Sequence, residues 1–212
     1  MPCRRERKAA SGARKDDRSM KNMRSKDVQR FFEQVATDWD TMRLAYYDER
    51  VIEKMAEISG VGEDSEVADV GTGTGFVAAG IAPRVKRVVG VDNVPAMLEV
   101  ARENLATLGV SNVNLVVGEA TRLPLEDGTV DAAFSNMVLH HAEHPTAMLR
   151  EMARVVRPGG TVAITDEVEH PYEWMREEHA DVWLGFGRRQ VEHFCAAAGL
   201  SEGYGYEPLG MQ

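Results

Sequence analysis

The chain has 212 residues, 43% of them hydrophobic and 28% charged, which fits one globular domain with room for a sheet covered by helices on both faces. Its formal charge of −9 is unevenly spread: residues 1–26 hold ten Lys/Arg against three Asp/Glu, so the remaining body is strongly acidic and would repel a phosphate backbone, which speaks against a nucleic-acid substrate. No apolar run approaches the roughly eighteen residues of a membrane span, and Cys3 and Cys195 alone supply neither a disulfide framework nor a cysteine metal site.

Residues 1–26 are rich in Arg, Lys, Ser and Ala and lack the apolar content to order themselves, so they read as a disordered tail. They contain no apolar h-region of a secretory signal, and a cytoplasmic location is the default expectation. From Asp27 the pattern VQRFFEQVATDWDTM puts Val28, Phe31, Phe32, Val35 and Trp39 on one stripe at helical spacing. That stripe either packs on the domain or, with Tyr46 and Tyr47, caps a ligand. A second helix is expected over Asp48–Ser59, stopped by Gly60. Residues 27–60 thus form a helical cap and residues 61–212 the main domain.

Strands then alternate with helices. Strands are expected at Glu66–Val70, Arg87–Asp92, Val113–Val117, Asp131–Ser135 and Thr161–Asp166, and helices at Phe76–Ala82, Pro95–Leu108, Pro145–Val156 and near Gly187–Ala198. Pro95 suits a first helical turn, while Gly109 and the Pro158-Gly159-Gly160 run supply stops. This alternation predicts an α/β fold with a doubly wound, mostly parallel sheet and a ligand crevice at the strand C-termini.

The richest stretch is VADVGTGTGF, Val67 to Phe76, where an apolar strand meets three glycines at alternate positions. Without Cβ atoms, Gly71, Gly73 and Gly75 let the backbone turn sharply and approach a ligand closely. The sixth position from Gly71 is Phe76, which departs from the G-x-G-x-x-G/A spacing of a dinucleotide site. Asp69 places a carboxylate where a positively charged ligand group would sit. About twenty residues on, Asp92 ends the strand RVVGVD, where a ribose-binding acid is expected in an open α/β sheet.

VADVGTGTGF, VVGVDNVPAML, VVGEATRLPLEDGTVDAAFSNMVLHH and LREMARVVRPGG together resemble, in order, the motifs of class I S-adenosylmethionine-dependent methyltransferases. The likeness runs from about Phe31 to Leu200 and is nearest the small-molecule branch that includes ubiquinone and menaquinone C-methyltransferases. It implies S-adenosyl-L-methionine as cofactor, methyl transfer by in-line displacement, and a small-molecule acceptor. It also implies a cofactor site of Asp69, Gly71, Thr72, Gly73, Gly75, Asp92, Asn93, Glu119, Ala120 and Asn136, with Asp69 near the amino group and Glu119 and Ala120 beside adenine.

The family's sheet normally ends in an antiparallel strand pair, yet only Ser201–Leu209 follow the last expected helix. Either the sequence is a piece of a longer protein, or an open sheet edge is left that permits a homodimer. On the acceptor side His140, His141 and His144 follow the fourth strand. His140 and His141 are candidate catalytic bases, or else loop and packing residues. HHxxH without a fixed helix register is weak support for a metal, and none is expected. Asp166, Glu167 and His170 form a second candidate group. Trp174, Trp183 and Phe186 are expected to pack as helix residues. Part of the segment REEHADVWLGF resembles bacterial methyltransferases joined to metalloregulators, but arsenite methylation needs several thiols. A cofactor-binding protein without turnover is the other alternative.

Overall fold

A computed structural model describes residues 25–200 and 205–207. The tail reading therefore lies outside the described residues for positions 1–24, as does most of Ser201–Leu209. A helix, α1, covers 25–35, so Ser25 and Lys26 are helical rather than part of a tail. It does not run on through Trp39. The chain turns at residues 36–38, where Asp38 N–H donates to Val35 O at 2.9 Å, and restarts as α2, Trp39–Met42. Thr37 and Asp38, residue types of low helix propensity, sit at this break. Next comes α3, Arg50–Ser59, closed by Gly60 at φ 63°.

Five strands follow: β1 (Glu66–Val70), β2 (Arg87–Asp92), β3 (Val113–Val117), β4 (Val130–Asn136) and β5 (Val156–Thr165). All neighbouring pairs are parallel, in the order β3-β2-β1-β4-β5. Between them lie α4 (Phe76–Ile81), α5 (Pro95–Thr107) and α6 (Pro145–Val155), and a short α7 (Met175–Glu178) precedes α8 (Arg188–Ala198). The alternating run of strands and helices thus gives the doubly wound architecture, with β1 and β4 flanking the point where the strand order reverses.

The interior strands are apolar on both sides because both faces are covered. Val67, Val88, Ala132 and Phe134 point to one layer with Met55 of α3 and Ile81 of α4, whereas Ala68, Val70, Val89 and Ala133 pack against Met148, Leu149 and Met152 of α6. Phe134, Leu149 and Met152 are wholly buried. Removing a side chain of that size from such a position costs about 2–5 kcal/mol. Cys195 is a buried free thiol on α8 within the second layer.

Three expectations change. Strand β5 starts at Val156, not Thr161, because the pairing with β4 shifts from Val130↔Val156 to Ala132↔Thr161. Pro158-Gly159-Gly160 is thus an irregularity within the strand rather than a stop after a helix, with Gly159 at φ 86° and no space for a Cβ on Gly160 beside the Asp131 carbonyl. Trp183 and Phe186 lie in the segment between α7 and α8, not in a helix, and Trp174 caps α7 half exposed. Trp183 is pinned instead by its indole N–H, which donates to Ala142 O at 2.8 Å.

Candidate active site

A pocket of about 220 Å³ opens at the C-terminal edge of the sheet, between the turn after β1 and the segment after β4. Its floor is the glycine loop. Gly71 has φ 72°, and a Cβ there would overlap the Val138 side chain from the other wall. Gly73 has φ 53°, and its missing Cβ would meet only the Trp39 indole nitrogen, 4.0 Å away, so this position faces the open pocket. Gly75 does something else. It caps the start of α4 at φ 86°, and a Cβ there would lie 3.3 Å from Ala101 of α5. Gly75, expected at the cofactor from its spacing and from the family resemblance, brings two helices together here and is not among the residues lining the pocket.

The two acids hold the loop as well as facing the pocket. Asp69 is 1% exposed, and its Oδ2 accepts hydrogen bonds from Thr72 Oγ1 at 2.6 Å and Ala78 N–H at 3.1 Å. Burial raises its pKa from 3.8 to about 6 despite these donors, and the nearby Asp92 charge adds to the rise. Asp92 accepts from Gly73 N–H at 2.8 Å through Oδ2 and from Val94 N–H at 2.9 Å through Oδ1. Its pKa is also raised, first by burial. Each oxygen retains a lone pair for a ligand hydroxyl.

Thr72, Asn93, Glu119, Ala120 and Asn136 all line the pocket. Asn93 Nδ2 donates to the exposed Glu119 at 3.1 Å, tying the β2 and β3 ends into one rim. Asn136 turns its side chain away from this role by accepting from Thr165 Oγ1 at 2.6 Å. The next residue, Met137, is held at φ 56°, an uncommon conformation for a side-chain-bearing residue, and it lies at the pocket wall. No local sequence signal marks that strain, which is held by Met137 N–H donating to Thr165 O at 2.8 Å.

The N-terminal helices cover the opening. Gln29 Nε2 of α1 donates to Asn93 O at 3.3 Å, and Asp40 of α2 accepts from Thr74 Oγ1 and Asn104 Nδ2, each at 2.8 Å. Phe32, Trp39 and Tyr47 line the pocket, whereas Tyr46 points to His179, 3.0 Å from its Nδ1. Asp40 was not foreseen, since an isolated acid on an amphipathic helix carries no such message by itself.

The two histidines separate in role. His140 is 3% exposed and absent from the pocket wall, and its Nδ1 lies 2.8 Å from Asp166 Oδ1. Burial works against its charge, but the carboxylates of Asp166, Glu167 and Asp181 outweigh that and hold its pKa up at about 9. A ring already protonated at neutral pH is no general base. His141 lies beside His140 with ring centroids 3.9 Å apart and planes tilted by 47°, meets the Phe32 ring edge-on at 4.9 Å, and lines the pocket. Burial, and then the charge on His140, push its pKa well below 6.5. Asp166, Glu167 and His170 do gather near these rings, joined by Asp181, which sequence spacing did not single out.

Residues 68–164 match the family described as a methyltransferase domain. The chain is 40% identical over 106 residues to an arsenite methyltransferase of Halobacterium salinarum, covering 49% of this chain and 27% of that protein. It is 35% identical over 136 residues to a chloroplastic 2-methyl-6-phytyl-1,4-hydroquinone methyltransferase of Oryza sativa subsp. japonica, covering 62% and 40%. The chain thus spans well under half the length of either relative. Among solved structures, a SAM-dependent methyltransferase from Aquifex aeolicus superposes with a TM-score of 0.64 at 27% identity, over 79% of this chain and 87% of that one. No described helix is long and apolar enough to cross a membrane. The fold is the Rossmann-like methyltransferase fold, and within it residues 68–164 are the stretch that matches the methyltransferase-domain family.

Proposed function

We propose that this chain transfers the methyl group of S-adenosyl-L-methionine to a small organic acceptor by in-line displacement. The observation that carries the reading is a single pocket that joins the glycine floor, the buried Asp69, the partly buried Asp92, and an aromatic wall of Phe32, Trp39 and Tyr47 beside His141. In this reading Asp69 pairs with the cofactor's ammonium group, Asp92 accepts from the ribose hydroxyls, and the Asn93–Glu119 rim with Ala120 borders the adenine. The sulfonium is an activated leaving group, so the protein's task is orientation and exclusion of water. Alignment of that kind is worth roughly 7–11 kcal/mol. Helices α1 and α2 act as the cap.

For the acceptor, the aromatic wall supports a flat, apolar, hydroxylated molecule of the quinol type over a metalloid. Arsenite chemistry needs thiols at the site, and Cys195 is buried in α8 among core residues. The test is production of S-adenosylhomocysteine on incubation with S-adenosyl-L-methionine and either a panel of quinols and phenols or arsenite with thiol. Turnover with a quinol or phenol supports the proposal. Turnover with arsenite alone overturns the acceptor class, and tight cofactor binding without product from any acceptor favours a binding protein.

A further inference from the structure

Next to the main pocket, and sharing His141 and several aromatic residues with it, lies a second, smaller chamber of about 20 Å³ whose lining includes His140, Glu167, Asp181, Tyr46 and Met175. That volume holds a single water or ion and no organic acceptor. Asp181 projects into it with its side chain 1% exposed, and among the described residues neither of its carboxylate oxygens has a hydrogen-bond partner. A buried carboxylate without a hydrogen bond is costly, since it has lost its hydration and in return has only the attraction of the His140 ring 3.7 Å away. The nearest polar atoms are His140 Nε2 at 3.7 Å and His141 Nδ1 at 3.9 Å, both beyond hydrogen-bond range.

These separations suit a different bond. Two ligands on a tetrahedral zinc ion, each about 2.05 Å from the metal, lie about 3.4 Å apart, so about half an ångström of contraction would bring Asp181 to that separation from each histidine, and the ligand atoms of all three groups already lie within 4.8 Å of one another. We propose that His140, His141 and Asp181 form a binding site for a divalent transition metal of the zinc type, a site separate from the methyl-donor pocket but sharing His141 with it. Two imidazoles and a carboxylate are the donor set that selects such an ion over magnesium or calcium.

The surroundings agree. His140 Nδ1 faces Asp166 Oδ1 at 2.8 Å, the arrangement in which a carboxylate orients a metal-bound imidazole, and Nε2 binds the ion once its proton has been released to solvent, as metal binding requires. Asp166 is itself fixed, accepting from Leu139 N–H and Glu167 N–H. The His140 carbonyl accepts from Val182 N–H and Trp183 N–H, so the loop carrying Asp181 is tied to the segment carrying both histidines. A second group, Glu167 and His170 at 2.9 Å from each other, shares Asp181 and supplies a neighbouring carboxylate. Binding exchanges the 3.3 Å contact between His141 Nδ1 and Ala180 O for the cation. Because His141 borders both chambers, an occupied site would set the orientation of the ring that faces the acceptor.

The test uses the full chain freed of any affinity tag, stripped with chelator and then titrated with Zn2+ and, separately, Co2+ in the absence of S-adenosyl-L-methionine. The expected result is a single tight equivalent of Zn2+, a rise in melting temperature on adding it, and a Co2+ visible spectrum of nitrogen and oxygen ligands without a thiolate charge-transfer band. Asp181→Asn and His141→Ala should each weaken Zn2+ at least about 100-fold, and Asp166→Asn, which only orients His140, by about 10–100-fold. Circular dichroism of the stripped variants checks that they fold, and the wild-type titration stands whatever they do. Wild-type protein that takes up no Zn2+ or Co2+ overturns the site. So do a thiolate band or unchanged affinity in a folded Asp181→Asn protein.

Discussion

Replacing Asp69 by Asn should make the empty protein more stable at neutral pH and poorer at holding its cofactor. The carboxyl is buried, and its pKa is raised from 3.8 to about 6. At about 1.4 kcal/mol for each pH unit, ionising it inside the fold costs about 3 kcal/mol more than ionising it in the unfolded chain. Because the folded pKa is the higher one, the native state holds the extra proton between about pH 3.8 and 6. Stability from this residue is therefore complete below that window and lost as pH rises through it. An amide retains an oxygen to accept from Thr72 Oγ1 and Ala78 N–H, the two donors that Asp69 now satisfies. Urea unfolding of both proteins from about pH 4.5 to 8 gives the difference between them, in which titrating groups uncoupled from Asp69 cancel and the coupled Asp92 contributes with the same sign. That difference should grow in the variant's favour to about 1–3 kcal/mol by pH 7, allowing for weaker neutral hydrogen bonds. Over the same step S-adenosyl-L-methionine binding should fall by roughly 1.5–3 kcal/mol, the loss of a charge-assisted partner for its ammonium group. A variant less stable than wild type at pH 7, or a difference that does not change with pH, would refute the electrostatic argument. Unchanged affinity would refute the ammonium contact.

Four further outcomes are expected. Gly71→Ala combines a left-handed backbone with overlap of Val138, and should cost about 2–5 kcal/mol in chemical denaturation. Gly60→Ala, at φ 63° with nothing within 4 Å, should cost only the backbone share of about 1–2 kcal/mol, so equal losses would remove the steric part of the argument. Trp39→Leu should weaken S-adenosyl-L-methionine more than S-adenosylhomocysteine by about 0.5–2 kcal/mol if the indole faces the sulfonium, and parallel calorimetric titrations showing equal losses would make it a packing residue. Asp92→Asn should cost roughly 1.5–3 kcal/mol of cofactor affinity; isothermal titration with an intact far-ultraviolet spectrum distinguishes that from collapse of the Gly73 and Val94 contacts.

Strands β1, β2 and β3 lie where the sequence alone put them, at Glu66–Val70, Arg87–Asp92 and Val113–Val117, because each is a short apolar run bounded by local breakers, with β1 and β2 largely buried and β3 at the sheet edge. The glycine loop and Asp92 were legible for the same reason: a tight turn after a strand leaves its mark in adjacent residues. Other features depended on partners distant in the chain. Gly75 is spaced like its two neighbours, yet Ala101 packing against it takes it out of the pocket. The start of β5 is decided by the shifted pairing with β4, and neither strand carries that register alone. His140 and His141 are adjacent in sequence, but Asp166 draws one aside while Phe32 and the pocket claim the other. Asp181, forty residues past His141, joins them only once the loop that carries it folds back onto the His140 backbone. Short-range patterning determined the layers and the ligand edge, since helix and strand periodicity follow from neighbouring side chains. Only tertiary packing decided which polar groups meet, because burial and convergence are properties of the whole chain.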